Sequence, residues 1–127
     1  MKQSLLILIL VIPTLLFAQQ NIERYGACMM QEWFFRHKND NQYLDFIWKT
    51  MANCSTGQKR IPAAISEYSS IIHKTGTGFP SPDGTQDMND AGIIIMPDGS
   101  HAIIAIFVTN STSEAEVANI AKQLLFK

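Results

Sequence analysis

His73-Lys74-Thr75-Gly76-Thr77-Gly78 begins the stretch whose reading decides the fold. The stretch runs on through Asn89-Asp90-Ala91-Gly92-Ile93-Ile94, Pro97-Asp98-Gly99 and Ala102-Ile103-Ile104-Ala105-Ile106-Phe107-Val108 to the end of the chain. Glu67 to Thr75, Ala91 to Met96 and His101 to Thr109 are predicted strands. Gly78 to Asp87, with Pro80, Pro82 and Gly84, is a turn-rich loop, and Pro97-Asp98-Gly99 is a tight turn. Strands joined in this way pair antiparallel. The third strand shows no polar alternation, so it expects cover on both faces of the sheet. A closing helix follows, with Ser113 and Glu116 spaced as a capping box. Val117, Ile120, Ala121 and Leu124 make its apolar face, and Lys122 and Lys127 lie toward its end.

Upstream, Met30, Trp33, Phe34 and His37 fall at helical spacing and predict a helix over about 27–38. Asn39-Asp40-Asn41 breaks it. Leu44, Ile47, Trp48 and Met51 repeat the spacing over about 42–53, and Thr56-Gly57 supplies a left-handed stop. Both stripes read as core. The terminal helix can cover one face of the sheet and the two upstream helices part of the other; a face left uncovered would need a partner.

The chain has 127 residues, 46% hydrophobic and 17% charged, with a formal net charge of -1. One small globular domain fits these values. A nucleic-acid partner recruited by bulk positive charge does not. Lys2 followed by the apolar run Leu5 to Phe17 and by Ala18-Gln19-Gln20 predicts a cleavable signal peptide over 1–19. That run is too short for a comfortable membrane-spanning helix, so no stable membrane anchor is expected. Tyr25-Gly26-Ala27-Cys28 resembles a lipoprotein cleavage box but lies behind the charged Glu23 and Arg24. Export would permit a disulfide. Cys28 and Cys54 sit near the start of one predicted helix and the end of the next, ends that an antiparallel hairpin brings together. A bridge and two buried free thiols both remain open.

The Lys74-Thr75-Gly76 segment carries the chemistry. Lys74 offers a positive charge, Thr75 and Thr77 offer hydroxyls, and Gly76 and Gly78 admit a close backbone approach. Such a ledge suits an anionic, amide-like ligand, and an N–H there can stabilise an oxyanion. His37, His73 and His101 lack zinc spacing and read as structural histidines. Asp87, Asn89, Gly92 and Asp98 echo a calcium loop only in part, because Ala91 occupies a ligand position. No metal site and no cofactor is expected.

The flanks of the ledge resemble class A serine β-lactamases. The carrying segments are Trp48-Lys49-Thr50-Met51, Asn53-Cys54-Ser55-Thr56-Gly57-Gln58-Lys59-Arg60-Ile61, the Lys-Thr-Gly triplet, Asn89 to Gly99, and Ile104 to Val108 with the closing helix. The likeness runs from about Met29 to Lys127 and is strongest from Thr56 onward. It implies an α+β chain with a partial β-lactamase/transpeptidase-like fold: a three-stranded antiparallel sheet, a C-terminal helix and an N-terminal helical hairpin. By the same resemblance, residues 21–127 are the C-terminal portion of such a domain. Lys74 and Thr75 bind the carboxylate of a β-lactam or related ligand, Gly76 admits it, and the Thr77 N–H is one half of the oxyanion hole. Arg60 supports that site, and the host compartment is the bacterial periplasm.

The departures matter as much. The residues three before the downstream lysines are Phe35, Phe46, Thr56, Ile71, Asn119 and Leu124, so no Ser-x-x-Lys nucleophile motif is present. A Ser-Asp-Asn triplet is absent too. Pro62 and Ser66 also depart from the family's usual residues. Ser69 and Ser70 have no base arranged beside them by any motif. The expectation is a shortened family member without hydrolysis of its own. The alternative is a non-catalytic module that holds a carboxylate, or pairs with a second copy or a complementing fragment through its open sheet edge.

Overall fold

The computed structural model describes residues 5–7, 17–65, 67 and 69–126, with side-chain detail beginning at Tyr25. Its elements are β1 (Leu5–Ile7), α1 (Phe17–His37), α2 (Gln42–Ala52), a 3₁₀ turn (Ile61–Ala64), β2 (Ser70–Thr77), β3 (Gln86–Ile95), β4 (His101–Ser111) and α3 (Ala115–Leu125). Strands β2, β3 and β4 form the expected antiparallel sheet. The short β1 lies parallel beside β4, giving the order β1-β4-β3-β2 and leaving β2 at an edge.

Local chemistry explains the element ends. Asn41 caps α2, its Oδ1 accepting from the N–H groups of Tyr43 and Leu44 at 3.0 and 3.1 Å. The helix stops earlier than Gly57: Ala52 is its last residue, and Asn53 bonds back to the Lys49 carbonyl. Gly57 has φ +67° in a separate turn beyond it. Gly99, at φ +79°, closes the β3–β4 hairpin, with the Met96 and Ser100 backbones paired across it. Near the other end of that pair the register shifts, and Asn110 takes φ 54°. The capping box expected at Ser113 is offset. Ser113 Oγ accepts from Ala115 N–H, while Glu116 accepts from Thr112 rather than from Ser113.

Both faces of β4 are covered, as its unbroken apolar run requires. On one face Ile94, Ala102, Ile104 and Ile106 pack with Ile61 and Ala64 of the 3₁₀ turn and with Val117 and Ala121 of α3. On the other, Ile72, Ile93, Ile103 and Ala105 pack with Cys28 and Phe34 of α1, flanked by Leu44, Trp48 and Met51 of α2. Glu32 and His101 tie α1 to the start of β4 at 3.1 Å, and the His101 ring stacks on Phe35 with centroids 3.7 Å apart.

Four expectations need correction. The first helix extends ten residues further toward the N-terminus than its apolar stripe, because Phe17 to Gly26 is rich in good helix formers that carry no periodic signal. It therefore runs across the expected signal-peptide boundary. Leu5–Ile7 of that segment form β1, and the rest of the segment up to residue 16 lies outside the described residues. The helix stripes are only partly core: Phe34 is buried and Leu44, Trp48 and Met51 half-buried, but Met30, Trp33 and Ile47 are exposed. The strands begin or end elsewhere than expected, with β3 starting at Gln86 instead of Ala91, since polar residues continue the ladder there. Finally, Cys28 and Cys54 are both free. Cys28 points into the sheet core, where burial pushes its thiol pKa up, and Cys54 stays in its own turn, near Thr56.

Candidate functional site

The ledge is built where the chain crosses from one face of the sheet to the other. Asn53 to Arg60 leave the α2 face and deliver Ile61 to the α3 face, passing β2 at Thr75 to Thr77. Gly57 makes that passage possible. A Cβ there would fall 2.3 Å from the Thr75 methyl group, so any other residue would push the turn off the strand. Thr56 Oγ1 and Thr75 Oγ1 meet at 3.0 Å across the contact.

Arg60 ends the crossing and is buried. Its Nη1 donates to the carbonyls of Gly76 at 3.1 Å and Asn89 at 2.7 Å. Nη2 donates to Thr77 Oγ1 at 2.6 Å, and Nε to Glu114 at 3.0 Å. One guanidinium therefore joins β2, β3 and the approach to α3. The fork geometry of arginine makes this possible, and lysine cannot copy it. Arg60 acts on the ledge from beneath.

Alternation along β2 sorts the triplet onto two faces. Lys74 and Gly76 share the face of Ile72. Thr75 and Thr77 share the other, where their hydroxyls bond Thr56 and Arg60. The hydroxyls are thus engaged within the protein, a partition that the triplet by itself does not reveal. What remains for a ligand is the Lys74 ammonium, the bare surface of Gly76 and the backbone of an open edge. Gly78 N–H is paired with Asp87 O, so by ladder alternation the N–H and C=O groups of Thr75 and Thr77 turn outward. Lys74 Nζ reaching the Thr75 carbonyl at 2.6 Å agrees with that direction. Beyond the ledge, Phe79 is almost wholly exposed.

Beneath Lys74 lies a feature that pattern reading missed. His73 and Asp90 are both completely buried and paired at 2.8 Å. The second Asp90 oxygen accepts from Ile61 N–H at 3.2 Å, tying the residue after Arg60 to the same pair. Gly92, opposite His73 in the register, gives the ring its space: a Cβ there would lie 2.7 Å from His73 Cβ. The signal was present as His73 directly after Ile71-Ile72 and Asp90 three residues before an Ile run. Nothing local says that they meet.

The other histidines are structural as well, His37 with Asp40 at 2.6 Å and His101 with Glu32. Asp87 and Asn89 stand in β3 and accept from the Asn110 and Val108 amides, so the calcium-loop echo is a strand. Among the described residues no three His, Cys, Asp or Glu side chains group to hold a metal. Nor, among those residues, is any helix long and apolar enough to cross a membrane.

A sheet with helices on both faces and a Lys-Thr-Gly edge strand defines a class of fold shared with known proteins. Residues 29–125 match the model of the beta-lactamase enzyme family, and the chain belongs to that family. It is 36% identical over 81 residues to the extended-spectrum beta-lactamase PER-1 of Pseudomonas aeruginosa, a match covering 60% of this chain and 26% of that protein. A beta-lactamase of Bacteroides uniformis is 33% identical over 88 residues, covering 68% of this chain and 30% of its own. The crystal structure of the TLA-1 extended-spectrum beta-lactamase superposes with TM-score 0.69 at 28% identity, covering 77% of this chain and 38% of that one. A class A beta-lactamase from Bacteroides cellulosilyticus gives TM-score 0.68 at 28% identity, over 80% of this chain and 39% of its own. The chain thus spans less than a third of the length of these sequence relatives.

Proposed function

We propose that the Lys74–Thr77 edge of β2 holds the carboxylate of a β-lactam or a chemically related acylated peptide. Arg60 carries this reading. Its guanidinium locks Gly76, Thr77 and Asn89 in place while leaving Lys74 exposed at the open edge. Lys74 then supplies the charge, Gly76 the close approach, and the outward Thr77 N–H a donor for the ring carbonyl. The relatives that match are named beta-lactamases, which supports the ligand class.

Hydrolysis is a separate matter. An acyl-enzyme route needs an activated nucleophile, and these residues contain no Ser-x-x-Lys and no Ser-Asp-Asn. We read the chain as inactive by itself. Lys2 and the apolar run after it support export to the periplasm, where such ligands are met.

The test combines nitrocefin hydrolysis, mass spectrometry for a penicilloyl adduct, and penicillin G binding by calorimetry on purified chain. Binding without turnover or adduct is expected, weakened about tenfold or more in Lys74→Ala as one charge-assisted contact is lost. Turnover abolished by Lys74→Ala would overturn the inactive reading. Absence of binding by folded protein would overturn the ligand assignment. The open β2 edge favours a second reading, a non-catalytic module that pairs through that edge. Self-association lost on placing a proline at Thr75 would support it.

A further inference from the structure

We propose that the outward face of the α1–α2 hairpin is a self-association surface, on which a second copy of this chain docks about a two-fold axis and seats its Tyr43 in the groove beside Gln31. The surface is separate from the β2 edge, and the inference does not rest on any ligand at the Lys74 ledge.

The face is apolar and of the size a dimer needs. Met29, Met30 and Trp33 on α1 and Tyr43, Phe46 and Ile47 on α2 are each between 44% and 72% exposed. Not one residue of α2 is fully buried. Single exposed apolar side chains are ordinary, but a contiguous set on two adjoining helices marks an interaction surface. The set is contiguous because Met30, Trp33, Ile47 and Met51 border one groove of about 240 Å³ between the helices. The aromatic side chains alone leave roughly 400 Å² of this face in water. That is about half of what each partner gives to an interface of standard size, and the methionines and Ile47 supply more. Charge narrows the kind of partner. Arg36 pairs with Glu32 and Lys49 with Asp45 within the chain, and the Lys38 ammonium is held against Phe35 and Trp48. A face so neutralised offers little to an acidic or a basic target, and it meets its own copy without like-charge repulsion.

Gln31 sets the occupant. It lines the groove, is only 5% exposed, and its Oε1 has no hydrogen-bond partner. A buried acceptor left unmade is costly, so whatever fills the groove must bring a polar atom on an apolar body. Tyr43 is that kind of side chain, an aromatic ring with a hydroxyl at its tip, and it is the most exposed residue of the set. A phenol both donates and accepts, so it answers the Gln31 amide whichever way that amide is turned. Tyr43 stands one helical turn before Ile47 and faces solvent, placed to enter the groove of another copy. About a two-fold axis the insertion happens twice, Tyr43 of each copy meeting Gln31 of the other, and the contact closes at two chains.

The experiment follows the mass of the purified full chain by sedimentation velocity across a concentration series. A closed monomer–dimer equilibrium is expected. Trp33→Glu or Ile47→Glu should weaken it about 30-fold or more, as for central interface anchors. Both side chains already face water, so circular dichroism should show these variants folded. Tyr43→Phe keeps the ring and should weaken the dimer roughly tenfold, because the Gln31 acceptor of each copy then lacks its donor. Gln31→Leu should have a similar effect. The two changes together should weaken the dimer less than their separate effects combined, the mark of a direct pair. Thr75→Pro, which interrupts the β2 edge, should leave the dimer intact. A folded chain that stays monomeric at every concentration overturns the proposal. So does association that grows beyond two chains, that Thr75→Pro abolishes, or that Trp33→Glu and Ile47→Glu leave unchanged. Independent effects of Tyr43→Phe and Gln31→Leu, or no effect of either, overturn the placing of Tyr43 in the groove.

Discussion

At the residue scale, one buried polar group, Arg60, gives the ledge its shape. Arg60 satisfies two carbonyls, one hydroxyl and one carboxylate from a position with almost no solvent contact. Replacing it by methionine fills the space but leaves those acceptors without their donor. Arg60→Met should lower stability by about 3 kcal/mol, from urea denaturation, in line with breaking a buried charged network. Arg60→Lys should recover only a minor part of this, since an ammonium cannot span the same partners. The sequence named Arg60 as a support of the site and Lys74 and Gly76 as its surface. It did not separate them from Thr75 and Thr77, whose hydroxyls turn away to Thr56 and Arg60. Strand alternation predicts that separation only once the strand's register is known.

At the scale of elements, the helix and hairpin signals were local and therefore legible. Asn41 is both the break read from Asn39-Asp40-Asn41 and the residue whose side chain caps α2. Asn41→Ala should cost about 1 kcal/mol and lower the helical circular dichroism signal, because two amides lose their acceptor. The Pro97-Asp98-Gly99 turn was equally plain, since only glycine takes its φ of +79° without strain. What escaped was length. Nothing periodic marks Phe17 to Gly26, yet α1 includes it. The polar start of β3 at Gln86 to Asp90 reads as loop, but its neighbours supply the ladder.

At the scale of the whole molecule, a few long-range contacts join the helical hairpin to the sheet, and one of them titrates. Burial works to raise the Glu32 carboxyl, but hydrogen bonds and charge from His101 and Arg36 hold it below its ordinary value. A lowered folded-state pKa means stability that is present above the unfolded value and lost as pH falls through the folded one. The urea midpoint should therefore decline on acidification below about pH 4.5. Glu32→Gln should flatten that decline, as measured by denaturation at pH 3 to 6. Much about this protein was settled by the sequence alone: the antiparallel strands, the helices at either end, the double-sided cover of β4 and the β-lactamase likeness. Each of these is written in periodicity, turn chemistry or a contiguous motif. Only the tertiary structure decided that His73 meets Asp90, that Arg60 lies beneath the ledge, that Cys28 and Cys54 stay apart, and that Met30, Trp33 and Ile47 face outward. These outcomes depend on which residues distant in the chain become neighbours, and spacing along one segment carries no information about the segment packed against it.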